Sequence, residues 1–226
     1  MKKYAVIVAG GSGKRMGPGL PKQFLLLGNR SVLYYTITAF LNAYEDMEII
    51  LVLPEEHIGR GLQIVQQTHA AERIQITAGG DSRFESVRNG LDLVEHTSIV
   101  FVHDGVRCLV SKQLIERCFD QAVEKGSAIP AVAATDSIRI QEGASHHIVD
   151  RGSVRIIQTP QTFQSQLLID AYAQAADPSF TDDASVVEAS GKPVFLIEGE
   201  YDNLKITRPI DLLIAEKLLE ERSLLQ

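Results

Sequence analysis

Lys14, Arg15 and Lys22 place three cations within nine positions, directly after Ala9-Gly10-Gly11-Ser12-Gly13. Residues that small let backbone N–H groups come close to a ligand, and a glycine turn aims several amides at one anion. Cations fixed beside such a turn neutralise a polyphosphate. Residues 4–24, YAVIVAGGSGKRMGPGLPKQF, therefore read as a short strand running into a nucleoside triphosphate loop. Two commoner motifs do not fit. A Walker A loop needs four residues between its first Gly and the Gly-Lys pair, then Ser or Thr, but Gly13-Lys14 is followed by Arg15. The dinucleotide fingerprint meets Met16 where its last glycine belongs. Its ribose-binding acid belongs about 20 residues on, and Glu55 and Glu56 come much later. Both mismatches count against a nicotinamide-dependent oxidoreductase.

Such a loop needs a scaffold that brings other chemistry to it. Apolar strand-like runs at 48–53, 74–78, 98–102, 128–134 and 194–197 alternate with helix-like stretches, the pattern of a mostly parallel sheet covered on both faces. Ser31 is placed to cap a helix carrying Leu33, Ile37, Phe40 and Tyr44, and residues 58–71 predict another. Phe84, Val87, Leu91 and Val94 form one apolar helical face, and residues 112–125 predict a helix closed by Gly126. Helices are further expected at 166–176, at 182–190 and from Pro209, the last with Leu212, Leu213, Ala215, Leu218 and Leu219 facing inward. In open α/β sheets ligands bind beyond the carboxyl ends of the strands, so Gly10–Gly13, Gly79–Asp81 and Asp104 should share one edge. Residues 136–157 break the rhythm. Short runs at 137–140 and 147–151 around Glu142-Gly143-Ala144-Ser145 read as a β-hairpin, which is marginal alone and needs a partner surface.

The 226 residues, 45% hydrophobic and 23% charged, suit one globular domain spanning 1–226. A formal net charge of −7 without a basic run excludes a nucleic-acid surface, so phosphate must be held by a local cluster. Cys108 and Cys118 are too few for a disulfide framework and fit a reducing cytoplasm. No segment reaches membrane-spanning length, and the first apolar run is too short for a signal peptide. His96, His146 and His147 have no Asp or Cys partner at ligand spacing and read as surface or packing residues.

Seven strings in order carry a family resemblance: the opening loop through Pro21-Lys22-Gln23, GGDSRFESV at 79–87, HDGVR at 103–107, DR at 150–151, QTPQTF at 158–163, TDDASVVE at 181–188 and NLKITRP at 203–209. Together they resemble the 2-C-methyl-D-erythritol 4-phosphate cytidylyltransferases of the non-mevalonate isoprenoid pathway, within the sugar-phosphate nucleotidyltransferases. The resemblance implies a Rossmann-like α/β nucleotidyltransferase fold with a protruding β-hairpin arm at 136–157, exchanged in a homodimer. It implies CTP and a sugar-alcohol phosphate as substrates, with Mg2+ bound mainly through the CTP phosphates and no metal ligands assigned on the protein. It makes Arg15 and Lys22 the transition-state cations. Ala9, Gly10, Gly11, Gly13, Gly80, Asp81, Ser86 and Asp104 hold the nucleotide, and Arg107, Arg151, Thr159, Thr181 and Lys205 hold the sugar phosphate. Cys108 replaces the proline of the family's His-Asp-Ala-Ala-Arg-Pro motif, which predicts a looser turn around Arg107. Ribitol 5-phosphate cytidylyltransferases share the opening loop and QTPQ, and a catalytically silent nucleotide-binding regulator would keep the same fold.

Overall fold

The computed structural model describes residues 1–10, 20–95, 97–175 and 179–224. The chain opens with β1 (Lys2–Val8), a small β2 (Leu26–Leu27) and β3 (Arg30–Ser31) ribbon, and α1 (Val32–Ala43). β4 (Met47–Leu53), α2 (Ile58–Gln66), β5 (Ile74–Ala78) and α3 (Arg83–Leu91) follow. Next come β6 (Ser98–Asp104), α4 (Lys112–Lys125) and β7 (Ser127–Ala133). After the hairpin β8 (Ile138–Glu142) and β9 (Ser145–Val149) the chain returns as β10 (Arg155–Ile157) and β11 (Gln161–Gln164). It ends with α5 (Ser165–Gln174), α6 (Asp183–Ala189), β12 (Leu196–Glu198) and α7 (Pro209–Leu224).

β5, β4, β1 and β6 are parallel neighbours; the apolar runs of β4, β1 and β6 are buried on both faces as such a sheet requires, while β5 at its edge is partly exposed beyond Ile74. Alternation divides the core. Ala5, Ile7, Ile49, Leu51 and Phe101 pack under α1, α2 and α4, while Val6, Val8, Ile50, Val52 and Val102 pack under α3, α5 and α6. α7 covers a smaller cluster of Leu27, Val32, Leu109 and Ile206 through Ala215. Ser31 caps α1 as its position predicts, accepting from Tyr34 N at 3.2 Å, and Gly126 closes α4 with φ 93°.

The antiparallel part was not legible. β11 lies between β6 and β7, antiparallel to both, and β10 continues along the same edge of β7. Gln158 N donating to Pro130 O at 2.8 Å joins the two segments. Half-polar runs of three and four residues interrupted by Pro160 give no period to detect. β12 takes the other edge of β7, and its ordered strand begins at Leu196, inside the expected 194–197. α2 ends at Gln66 instead of 71, and α3 at Leu91, with Val94 buried beyond it. In α7, Leu213 points outward, 64% exposed, because the inward stripe over the small cluster runs through Leu212, Ala215, Leu218 and Leu219.

Among the described residues β8 and β9 pair only with each other, from Ile138↔Val149 to Glu142↔Ser145 around Gly143 (φ 60°). Ile140 and Ile148 on this hairpin are exposed. Among the described residues, no helix is long and apolar enough to cross a membrane.

Candidate active site

The strand ends are tied into one rim. Ala9 N donates to Val52 O at 2.9 Å, Gly79 N to Leu53 O at 2.8 Å, and Gly105 N to Val8 O at 2.9 Å. A cleft of about 330 Å³ opens above them, lined by Ala9, Gly10, Lys22, Gly80, Asp81, Ser86, Asp104 and Lys205, all expected from the sequence. Gly10 and Gly80 in its walls offer only main chain. Ser86 is buried and its Oγ accepts from Gly80 N at 3.2 Å. A Cβ at Gly79 would lie 2.7 Å from that Oγ, and one at Gly80 would collide with Glu85 Cβ, so this turn needs its glycines. Ser82 and Glu85 form a capping box that starts α3 directly behind the turn. Pro21 leads into a short 3-10 turn, Lys22–Phe24, in which buried Gln23 donates to Ala9 O at 2.7 Å and so sets Lys22 beside the rim. Gly11, Gly13 and Arg15 lie outside the described residues.

A second cleft of about 340 Å³ adjoins the first and shares Arg83, Asp104 and Lys205 with it; Arg107, Thr159 and Thr181 are also in its walls. Side chains build this one. Asp104, 8% exposed, lies 2.8 Å from Lys205 Nζ and 3.7 Å from the Nε atoms of Arg83 and Arg107. Burial alone would raise the Asp104 carboxyl, but Lys205, Arg83 and Arg107 outweigh it and hold the group well below the usual carboxylate range. Arg83 makes a bidentate pair with Asp183, Nη1–Oδ1 3.0 Å and Nη2–Oδ2 2.7 Å, and Tyr172 Oη donates to the same carboxylate at 2.7 Å. Burial opposes the charge on Arg83, yet Asp183 and then Asp104 raise its guanidinium above its ordinary value.

Sequence reasoning missed Arg83 and Asp183 although both stand inside the family strings. The signal present was an arginine one residue beyond a helix cap at a strand-end glycine turn.

His103 is fully buried, and desolvation lowers its imidazole to about 4, so it is neutral near pH 7. Its Nε2 faces Arg107 O at 3.1 Å, a carbonyl that only accepts, which places the proton there. Nδ1 is then an acceptor and takes the Thr159 hydroxyl proton at 3.1 Å, while Thr159 Oγ1 accepts from Asp104 N at 3.0 Å. That chain commits the Thr159 proton, so its side chain braces Asp104 instead of offering a donor to the second cleft. The expected loosening at Cys108 does not occur. Cys108 is buried against α7's cluster, and Arg107, 9% exposed, donates to Asn203 O at 2.7 Å. Arg151 is not brought to either cleft. It stands exposed after β9 and donates to Thr135 O at 3.0 Å.

Among the described residues no group of three or more His, Cys, Asp or Glu is placed to hold a metal ion. Asp81 and Asp104 are the carboxylates lining the first cleft, and so small a set would suit a magnesium ion held chiefly by phosphate oxygens, since Mg2+ keeps much of its water and takes few protein ligands.

The family model for IspD, 2-C-methyl-D-erythritol 4-phosphate cytidylyltransferase, matches residues 4–221. The enzyme of that name from Bacteroides fragilis is 46% identical over 219 residues, covering 97% of this chain and 100% of its own. Among solved structures, 4-diphosphocytidyl-2C-methyl-D-erythritol synthase from Anaerococcus prevotii aligns with a TM-score of 0.84 at 28% identity, covering 97% of this chain and 96% of its own. The 2-C-methyl-D-erythritol 4-phosphate cytidylyltransferase of Thermus thermophilus aligns with a TM-score of 0.76 at 32% identity, covering 95% and 98%.

Proposed function

This chain belongs to the IspD family of 2-C-methyl-D-erythritol 4-phosphate cytidylyltransferases, and on that premise we propose that it transfers CMP from CTP to 2-C-methyl-D-erythritol 4-phosphate. The products are 4-diphosphocytidyl-2-C-methyl-D-erythritol and pyrophosphate, in non-mevalonate isoprenoid synthesis. The observation that carries the reading is the meeting of two clefts at Asp104 and Lys205, one lined in part by the main chain of Gly10 and Gly80 with Lys22 beside it, the other by Arg83, Arg107 and Lys205.

An oxygen of the acceptor's phosphate attacks the α-phosphorus of CTP in line, and the bond from that phosphorus to the bridging oxygen of pyrophosphate breaks. The nucleophile is already an anion near neutral pH, so no general base is required. The protein's work is to position the two reactants and to offset the negative charge on the phosphoryl oxygens. Lys22, with Arg15, is the pair that stabilises this charge. Ala9, Gly10, Gly11 and Gly13 cradle the triphosphate, and Gly80, Asp81 and Ser86 take the cytosine and its ribose. Arg107, Thr181 and Lys205 receive the sugar phosphate, Asp104 anchors Lys205 between the clefts, and Thr159 fixes Asp104. Mg2+ bound to the CTP phosphates would supply further charge neutralisation, with Asp81 and Asp104 the carboxylates available to hold it or its waters. Arg151 enters the acceptor site of a second copy when the 136–157 arms exchange in a homodimer, which also covers the exposed Ile140 and Ile148. The whole of 1–226 acts as one nucleotidyltransferase domain in the cytoplasm.

The test is pyrophosphate release with CTP and Mg2+, using 2-C-methyl-D-erythritol 4-phosphate and D-ribitol 5-phosphate in parallel. Turnover with the first alone is expected. Turnover with ribitol phosphate alone would overturn the substrate assignment, and none with either would leave a nucleotide-binding regulator.

A further inference from the structure

Lys205 is carried by the irregular segment between β12 and α7, yet that segment is pinned on both sides of the lysine. Gln158, 5% exposed, clasps Glu200 with both ends of its amide: Nε2 donates to Glu200 O at 2.8 Å, and Oε1 accepts from Glu200 N at 3.1 Å. The fit is close, since a Cβ at Gly199 would lie 2.5 Å from Gln158 Oε1. Asn203, fully buried, donates from Nδ2 to Thr159 O at 2.8 Å, and its own carbonyl accepts from Arg107. The Asn203 Oδ1 has no hydrogen-bond partner among the described residues, so the amide serves as a donor. Beyond the lysine, Ile206 N donates to Val106 O at 3.0 Å.

A lysine ammonium on a four-carbon stem finds a fixed place only if its backbone is fixed. The Lys205 side chain is 42% exposed, and its anchor is Asp104 at 2.8 Å. We propose that Gln158 and Asn203 are positioning residues for acceptor binding: although Gln158 also stands in the wall of the second cleft, both ends of its amide are committed to Glu200, and with the Asn203 amide it holds the backbone of 200–205 so that the Lys205 ammonium stands at Asp104 facing that cleft. The proposal rests on the assignment of Lys205 to the sugar phosphate.

Three variants test it in the full-length enzyme: Asn203→Ala, Gln158→Met and Lys205→Ala. Gln158→Met keeps the length of the side chain and adds no charge to the second cleft, but removes both hydrogen bonds to Glu200. For the first two, KM for 2-C-methyl-D-erythritol 4-phosphate is expected to rise about ten- to a hundredfold, the scale on which misplacement of a catalytic group acts. The Kd for CTP, titrated without acceptor, should change several-fold less than that KM, since Lys205 is one of many groups lining the first cleft. Combining Asn203→Ala with Lys205→Ala should add less than about twofold to Lys205→Ala alone, because residues acting through one group are not additive.

If CTP affinity falls as far as acceptor affinity, or if the two substitutions multiply, the amides serve the fold in general and the proposal is overturned. Should Asn203→Ala fail to fold, Gln158→Met decides by the same split. A wild-type enzyme inactive with this acceptor overturns the assigned activity and the proposal with it. An active wild type with variants indistinguishable from it overturns the positioning role alone.

Discussion

The two clefts that meet at Asp104 are made of different material. In the nucleotide cleft part of the polar surface is main chain, presented by Ala9, Gly10 and the Gly79–Asp81 turn beside Lys22 and the shared Arg83, Asp104 and Lys205, and a helix cap holds that turn in shape. In the acceptor cleft it is side chain, and each charged group is held by another group: Arg83 by Asp183, Asp104 by Lys205, Arg107 by the Asn203 carbonyl. Main-chain walls cost little to desolvate once the strands have formed. Buried charges must be matched or they destabilise the whole chain. Substitutions in the acceptor cleft should therefore register first as lost stability, and those in the nucleotide cleft as lost rate.

The strongest test of that contrast is Asp183→Asn, which leaves the Arg83 guanidinium without its bidentate anion. A loss of about 3–5 kcal/mol in urea unfolding is expected; a variant as stable as wild type would show that the pair is dispensable. Lys22→Ala is the opposite case. It should lower kcat on the order of 100- to 1000-fold with an unchanged unfolding midpoint, and a near-normal rate would remove Lys22 from the transition state.

The smallest effect concerns His103. Its folded-state value of about 4 lies below the ordinary 6.5, so between these values the unfolded chain binds the extra proton and stability falls as pH falls. Asp104, also depressed, loses its contribution only below its ordinary 3.8, so the window from 6.5 to 4 belongs to the histidine. Roughly 3 kcal/mol should be lost across it. A His103→Asn variant should flatten this slope, and an unchanged slope would assign it to other groups.

The same contrast explains what could be read in advance. Glycines at strand ends announce themselves because few other residues permit such turns, so Gly10, Gly80 and the capped helix behind them were legible together with the parallel strands. The partnership of Arg83 with Asp183, a hundred positions apart, has no local period or turn chemistry. Nor has the seat of β11: a four-residue half-polar strand is placed by the edges of β6 and β7, which tertiary structure alone creates. The committed proton of Thr159 was invisible for a related reason, as it depends on which His103 nitrogen faces a carbonyl.

The insertion of β11 between β6 and β7 also bears on the order in which the molecule is completed. β6 and β7 are near neighbours along the chain, yet no ladder joins them, and the gap is filled by residues that come well downstream of both. A chain made from its N-terminus offers that filler strand only after both of its neighbours. During synthesis the nucleotide rim of β1, β4 and β5 can therefore be assembled while Asp104 still lacks Thr159 and Lys205. The last part of the enzyme to mature should be the acceptor cleft, and chains stalled on the ribosome before β11 emerges should already protect amides of β1 and β4 from hydrogen exchange.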